Sequence, residues 1–253
     1  MTIGPPSPTF RLMWRRILIA LGVCAACALF PAAGVAATHA GSHAPKNKFG
    51  RGTSTNWSGY DAIGTGATHV IGTWTQPATT CGRHENSWSS PWVGIDGDTS
   101  STVEQIGTDT DCSRGTPYYY AWYEMYPKSL VTISMPVRPG DSFTGEVTAA
   151  SATTFVLRLV NNTTGSSFQT TQTSSNAQHS SVEWIMEGPS NGLLTNFGTV
   201  GFGGNSATIN AQTADLGSLS NVQPITMVTK KGATRANPSA IKGGSFSVNW
   251  QHG

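Results

Sequence analysis

Residues 181–190 read SVEWIMEGPS, and their alternation decides the fold. Side chains on a strand point to opposite faces in turn. Trp184 and Met186 share one face, and Glu183, Ile185 and Glu187 share the other. The Trp/Met face is the core side. Glutamate is seldom buried without a partner, so Glu187, where the strand meets Gly188-Pro189, is expected on a concave face away from the core. Four residues along a strand separate Glu183 from Glu187 by roughly 13 Å, at about 3.3 Å per residue. Paired acids in glycoside hydrolysis stand about 5–9.5 Å apart. Within this strand the two glutamates are therefore not such a pair.

The same short-strand pattern continues outward from this segment. HVIGTWTQP, SPWVGIDG, STVEQIGTD, YYYAWYEMYP, LVTISM, SFTGEVTAA, TTFVLRLV, SFQTTQT, FGTVGFGG, ITMVTK and GSFSVNW all read as strands. NNTTGS after Val160 reads as a hairpin connection, and RPGD at 138–141 as a turn. No stretch sustains a 3.6-residue period. About a dozen strands in about 200 residues, without helices, predict an all-β chain of two antiparallel sheets packed face to face. No internal repeat is visible.

Composition supports this reading. Only 11% of the 253 residues are charged, against a usual ~25%, and Ser, Thr, Gly and Asn take over the surface. Residues 1–37 carry Arg11, Arg15 and Arg16, then the apolar run ILIALGVCAACALF, then small residues at Val35 and Ala37. That order predicts a secretory signal peptide cleaved after Ala37, and the run is short for a membrane span. Residues 38–53 lack apolar periodicity and read as a linker or a short pro-segment, leaving 54–253 as one domain. Removing the signal takes three arginines away and leaves 12 cationic residues against 13 acids. No basic patch for nucleic acid remains. Cys81 and Cys112 are then the two cysteines left, and in an exported chain they predict one disulfide, two buried thiols being the alternative. The chain is expected to be a monomer, without a membrane attachment once the signal is gone.

Several local motifs carry little chemistry. Asp109, Asp111, Ser113 and Gly115 echo a calcium loop, but the Gly falls one place late and Tyr120 stands where a bidentate Glu belongs. The segment is read as a turn with Asx capping. The six His show no paired metal spacing, and no metal or cofactor is expected. No G-x-S-x-G is present, and no His partners either cysteine convincingly. Asn56, Asn161 and Asn162 lie in N-x-S/T sequons.

Six segments in order carry more. They are NWSGY at 56–60, WVGIDGDT at 92–99, EQIGTD at 104–109, YYAWYEMYP at 119–127, VEWIMEGP at 182–189 and NFGTVGF at 196–202. Together they resemble the glutamic peptidases, or eqolisins, over about residues 54–250. The resemblance implies a concanavalin A-like lectin/glucanase type of β-sandwich. It implies a catalytic pair of Gln105 and Glu187, with Trp92, Asp96, Asp109 and Glu124 lining or supporting the cleft. Tyr120 departs from the Asp that fungal members carry two residues before the Trp of AWYE.

The pair suits the chemistry. A carboxylate at 187 would take a proton from water, and the Gln105 amide would donate to the oxygen that gains charge. Asp96 or Glu124 would orient that amide. The resemblance implies a secreted endopeptidase working at acid pH on polypeptides, without a covalent intermediate. A lectin-like carbohydrate-binding module and a jelly-roll glycoside hydrolase are the alternatives, since one fold serves many functions.

Overall fold

The structure is a computed structural model and describes residues 43–189 and 192–253. The expected signal peptide and its cleavage position lie outside the described residues. No described residue is helical. Strands of four or more residues are β1 (Trp57–Ile63), β2 (His69–Thr75), β3 (Ser90–Ile95), β4 (Val103–Ser113), β5 (Thr116–Tyr126), β6 (Ser142–Ala149) and β7 (Thr154–Asn161). Then come β8 (Ser167–Thr173), β9 (Ser181–Glu187), β10 (Thr199–Ile209), β11 (Gln212–Asp215), β12 (Val222–Val228), β13 (Thr234–Pro238) and β14 (Phe246–Trp250).

They form two sheets. The front sheet runs β12–β1–β9–β3–β4–β5, each neighbour antiparallel. The back sheet runs β8–β7–β6–β2–β10–β14–β13–β12. Strand β12 belongs to both: Val222–Ile225 pair with β1, and Met227 and Val228 pair with β13. Two short pairings depart from the expected antiparallel pattern. Leu193–Leu194 run parallel to Ser87–Trp88, and Thr53–Ser54 run parallel to Thr226–Met227.

The main core fills the space between the sheets. Val93, Ile95, Ile106, Met125, Trp184 and Met186 point inward from the front, against Trp74, Phe143, Phe155, Leu157 and Phe202 from the back. The Trp184 and Met186 face is thus the core face, as the alternation of β9 predicts. Two indoles also tie the sheets by hydrogen bonds: Trp74 Nε1 donates to Thr108 Oγ1 at 2.8 Å and Trp184 Nε1 to the Ile71 carbonyl at 2.8 Å. A second apolar cluster lies on the other face of the front sheet, made of Trp57, Trp92, Val103, Trp122, Ile185 and Ile225. That face carries Glu187.

The hairpin after Val160 and the 138–141 turn form as expected, with Gly165 and Gly140 at φ 76° and 86°. The TDTDCS segment does not form a turn with Asx capping. It is the second half of β4, in register with β5 from Asp109↔Tyr120 to Ser113↔Thr116, and the turn comes only at Arg114–Gly115. The physical reason is pairing: Tyr118, Tyr119 and Tyr120 on β5 supply a β-rich partner. Cys81 and Cys112 are joined by a disulfide.

Candidate active site

Register sets out the cleft face. On β9, Glu187 is opposite Trp57 of β1 and Ser90 of β3, and Glu183 is opposite Asp61 and Gly94. On β4, Gln105 is opposite Gly94 on one side and Glu124 of β5 on the other. Asp109 is opposite Tyr120. Gln105 and Glu187 therefore sit two strands apart on one face. Gly107 between them is a close-approach position. A Cβ there would lie 2.5 Å from Trp92 Cβ and 3.0 Å from the Trp122 ring, so only glycine lets both indoles floor the cleft.

Glu187 is 5% exposed and heavily hydrogen-bonded. Trp92 Nε1 donates to its Oε2 at 3.0 Å, and Asn56 Nδ2 to its Oε1 at 3.2 Å. Gln105 is fully buried, and its Nε2 donates to Glu124 Oε2 at 3.1 Å. That bond fixes the amide and leaves the carbonyl oxygen Oε1 buried without a hydrogen-bond partner. Burial raises the Glu124 carboxyl to about 8; the charge of His43 opposes the rise, and Glu187 and Asp109 add to it. Glu124 is accordingly neutral at acid and neutral pH.

Asp109 is held by Trp122 Nε1, at 2.7 Å from Oδ1, and by the Tyr120 hydroxyl, which donates to Oδ2. Tyr120 OH also stands 3.0 Å from Asp111 Oδ2. The phenol thus gives Asp109 a hydrogen bond from the position where the family resemblance implies an Asp. Asp111 is pushed well above its ordinary range, first by burial and then by Asp109, against an opposing pull from His43.

Asp96 lies apart from this group. Its φ is +71°, and its carboxylate accepts the amides of Gln178, His179 and Ser180 at 2.8, 3.0 and 2.8 Å. Of the two residues expected to orient the Gln105 amide, Glu124 makes that contact and Asp96 caps the entry to β9.

The cleft is occupied by the chain's own residues 43–48. The His43 ring stacks on Trp122 with centroids 4.0 Å apart and planes 13° apart. Its nitrogens lie 3.3 Å from Glu187 Oε2 and 3.4 Å from Asp109 Oδ1. Burial alone lowers the imidazole's pKa, but Asp109 and Glu187 outweigh it, and the group is raised well above its usual value. One residue therefore touches both Glu187 and Asp109. The Ala44 amide donates to Glu187 Oε1 at 3.1 Å, and the Ala44 carbonyl accepts from Trp57 Nε1 at 2.9 Å and from Asn56 Nδ2 at 3.2 Å. Lys46 N donates to the Gly97 carbonyl at 3.0 Å. Its ammonium reaches Asp61 Oδ2 at 3.0 Å and Asp98 Oδ1 at 2.9 Å. Behind Glu187, the buried Arg235 donates to the Pro189 and Gly192 carbonyls at 2.9 and 2.8 Å and so pins the loop that follows β9.

Sequence reasoning did not single out Asn56, His43, Lys46, Asp61, Asp98 or Arg235 for the site. Asn56 stood inside a quoted motif, and parity along β1 would have put Asp61 on the face of Trp57. The segment before Ser54 carried no periodic signal at all. Two of the three sequon asparagines are buried: Asn56 is 2% exposed and Asn161 fully enclosed.

Comparison with known proteins shows the family and the fold. The profile of the Peptidase A4 family matches residues 55–250. Aspergillopepsin-2 of Aspergillus niger is 34% identical over 188 residues, which is 63% of this chain and 66% of that protein. Scytalidopepsin B of Scytalidium lignicola is 38% identical over 112 residues, 44% of this chain and 41% of that protein. The chain thus spans less than two thirds of the length of these curated relatives. Scytalido-glutamic peptidase, solved with a peptide-based transition state analog, superposes with a TM-score of 0.67 at 26% identity, covering 78% of this chain and 98% of that one. Aspergilloglutamic peptidase from Aspergillus niger superposes with a TM-score of 0.55 at 30% identity, covering 65% and 99%.

Proposed function

The chain belongs to the Peptidase A4 family, and from that premise we propose that it is a secreted endopeptidase hydrolysing polypeptides at acid pH through a water held by Glu187 and Gln105. The observation that supports this reading is the sharing of His43. Its ring contacts Glu187 and Asp109, on the same sheet face that carries Gln105. A substrate group in the place of His43 meets the Glu187 and Asp109 carboxylates at once.

Each residue has a chemical task. Glu187, as carboxylate, removes a proton from the attacking water and returns it to the leaving nitrogen. Asn56 and Trp92 hold it in place from both oxygens. Gln105 uses one N–H to lock onto Glu124, and the other donates to the oxygen that becomes negative. Its Oε1, buried without a hydrogen-bond partner, orients the water. Asp109 and Trp122 line the place where His43 lies. Residues 43–48 act as a short pro-segment, since a substrate must displace them to reach Glu187.

The test is turnover of an unfolded protein at acid pH by Glu187→Gln and Gln105→Ala. Both variants are expected to lose about 100-fold or more in kcat, the scale of losing one preorganised oxyanion donor. Near-normal turnover by either overturns the assignment, and so does a rate maximum above neutral pH.

A further inference from the structure

Arg235 is a buried cation without a counterion. It stands on β13 and is 3% exposed. Burial pulls its pKa below the usual arginine value. Among the described residues no carboxylate forms an ion pair with it. What the guanidinium touches is backbone. Nη1 donates to the Pro189 carbonyl at 2.9 Å and stands 3.5 Å from the Thr55 carbonyl, and Nη2 donates to the Gly192 carbonyl at 2.8 Å. An enclosed charge is costly unless it is paired or hydrogen-bonded. A neutral amide could meet such carbonyls at a smaller cost in lost hydration. A cationic donor makes hydrogen bonds roughly twice as strong as neutral ones, and the planar fork aims two nitrogens in fixed directions.

Two of these carbonyls flank Glu187. Glu187 is the last residue of β9 and lies opposite Trp57, the first residue of β1. One step further, the Gly188 amide donates to the Asn56 carbonyl at 2.8 Å. Pro189 has no N–H, so the ladder cannot continue through it. Arg235 takes its carbonyl instead. On the opposite strand, Thr55 directly precedes Asn56, whose Nδ2 donates to Glu187 Oε1 at 3.2 Å. The guanidinium thus joins the chain just after Glu187 to the chain just before the amide that holds its carboxylate. Resting on the peptidase reading above, we propose that Arg235 is a positioning residue. Buried away from substrate, it clamps the Thr55 and Pro189 backbones together and so fixes the Glu187 carboxylate against the attacking water.

The experiment compares the full chain with its Arg235→Lys and Arg235→Met variants, on a peptide that the unmodified chain cuts at acid pH. Urea unfolding gives the folded fraction, so that kcat is expressed per folded molecule. Arg235→Lys keeps the charge and gives up the fork. It is expected to lower kcat about 10-fold, equivalent to about 1.4 kcal/mol, with KM held within about threefold because Glu187 acts on the water rather than on binding. Arg235→Met should lose at least as much where it folds; where it does not fold, the lysine variant decides. Parental kcat per folded molecule overturns the proposal, and so does a loss confined to KM. A second comparison separates positioning from general support of the fold. In a Glu187→Gln background, adding Arg235→Lys should change the residual kcat by less than about twofold, since residues that act as a unit are not additive. A further loss as large as in the parental background would mean that Arg235 serves another group, and overturns the proposal. An unmodified chain that cuts no polypeptide, or a Glu187→Gln variant with parental turnover, overturns the peptidase reading and the proposal with it. Cutting by the unmodified chain together with a fully active Arg235→Lys overturns the positioning role alone.

Discussion

Tyr120 shows how one side chain absorbs a change of residue type. Its hydroxyl sits between Asp109 and Asp111, two buried acids on the same face of β4. Tyr120→Phe removes that donor and leaves the two carboxyls facing each other. The expected cost is about 1–3 kcal/mol, the penalty for removing a buried hydrogen-bonding group, read as a lower urea midpoint at neutral pH. Unchanged stability would show that the hydroxyl is not the link. Glu187, Gln105, Trp92, Asp109 and Glu124 were legible in the sequence, because strand parity put Glu187 on the cleft side and ordered motifs named the rest. Asp96 was legible as a residue but not in its surroundings, since a positive φ swings it onto the backbone of 178–180. Asn56 was not legible, because its contact with Glu187 spans 131 positions and nothing local announces it.

At the scale of elements, the pairing of β1 with β9 carries the site, because it places Trp57 beside Glu187 and Asp61 beside Glu183. Gly59 stands opposite Ile185 in that ladder. Its φ is +150°, and a Cβ there would stand 2.1 Å from the Trp184 carbonyl oxygen. Backbone cannot move aside as a side chain does. Gly59→Ala should therefore destabilise by about 3 kcal/mol, the upper end for overpacking, and reduce activity in the fraction that folds. A variant with parental stability would mean the strands separate more readily than their ladder suggests. The strands and their two-sheet arrangement were largely legible from alternation. The end of β4 was not, because Asp and Ser are weak strand formers and it is pairing with the tyrosines on one side and with Ser87 and Ser89 on the other that holds them extended. Nor was β12's passage between sheets, which depends on which neighbour each half meets.

For the whole molecule, the buried acids set a direction with pH. Burial raises Glu124 and Glu104 to about 8 and Asp61 to about 6, the last against the pull of Lys46. Burial likewise drives Glu183 well up. Between the unfolded pKa of such a group and its folded value, the native chain keeps a proton that the unfolded chain has released. Stability from these groups is thus fully present below about pH 4 and declines as pH rises to about 8. His43, also raised, acts in the same sense: its contribution is complete below its unfolded value and is lost as pH rises through its folded one. Urea unfolding should give a free energy lower at pH 8 than at pH 4 by a few kcal/mol, on the order of one to two shifted groups. A flat or rising profile would contradict the assignment of neutral acids to the interior. The enclosure of Asn56 reaches beyond the folded state. Asn56-Trp57-Ser58 satisfies the acceptor pattern of oligosaccharyl transfer, yet in the finished protein that amide has no room for a sugar. A cell that decorates nascent chains as they emerge would attach a glycan the cleft cannot close around, so the manufacturing route decides whether this polypeptide matures at all.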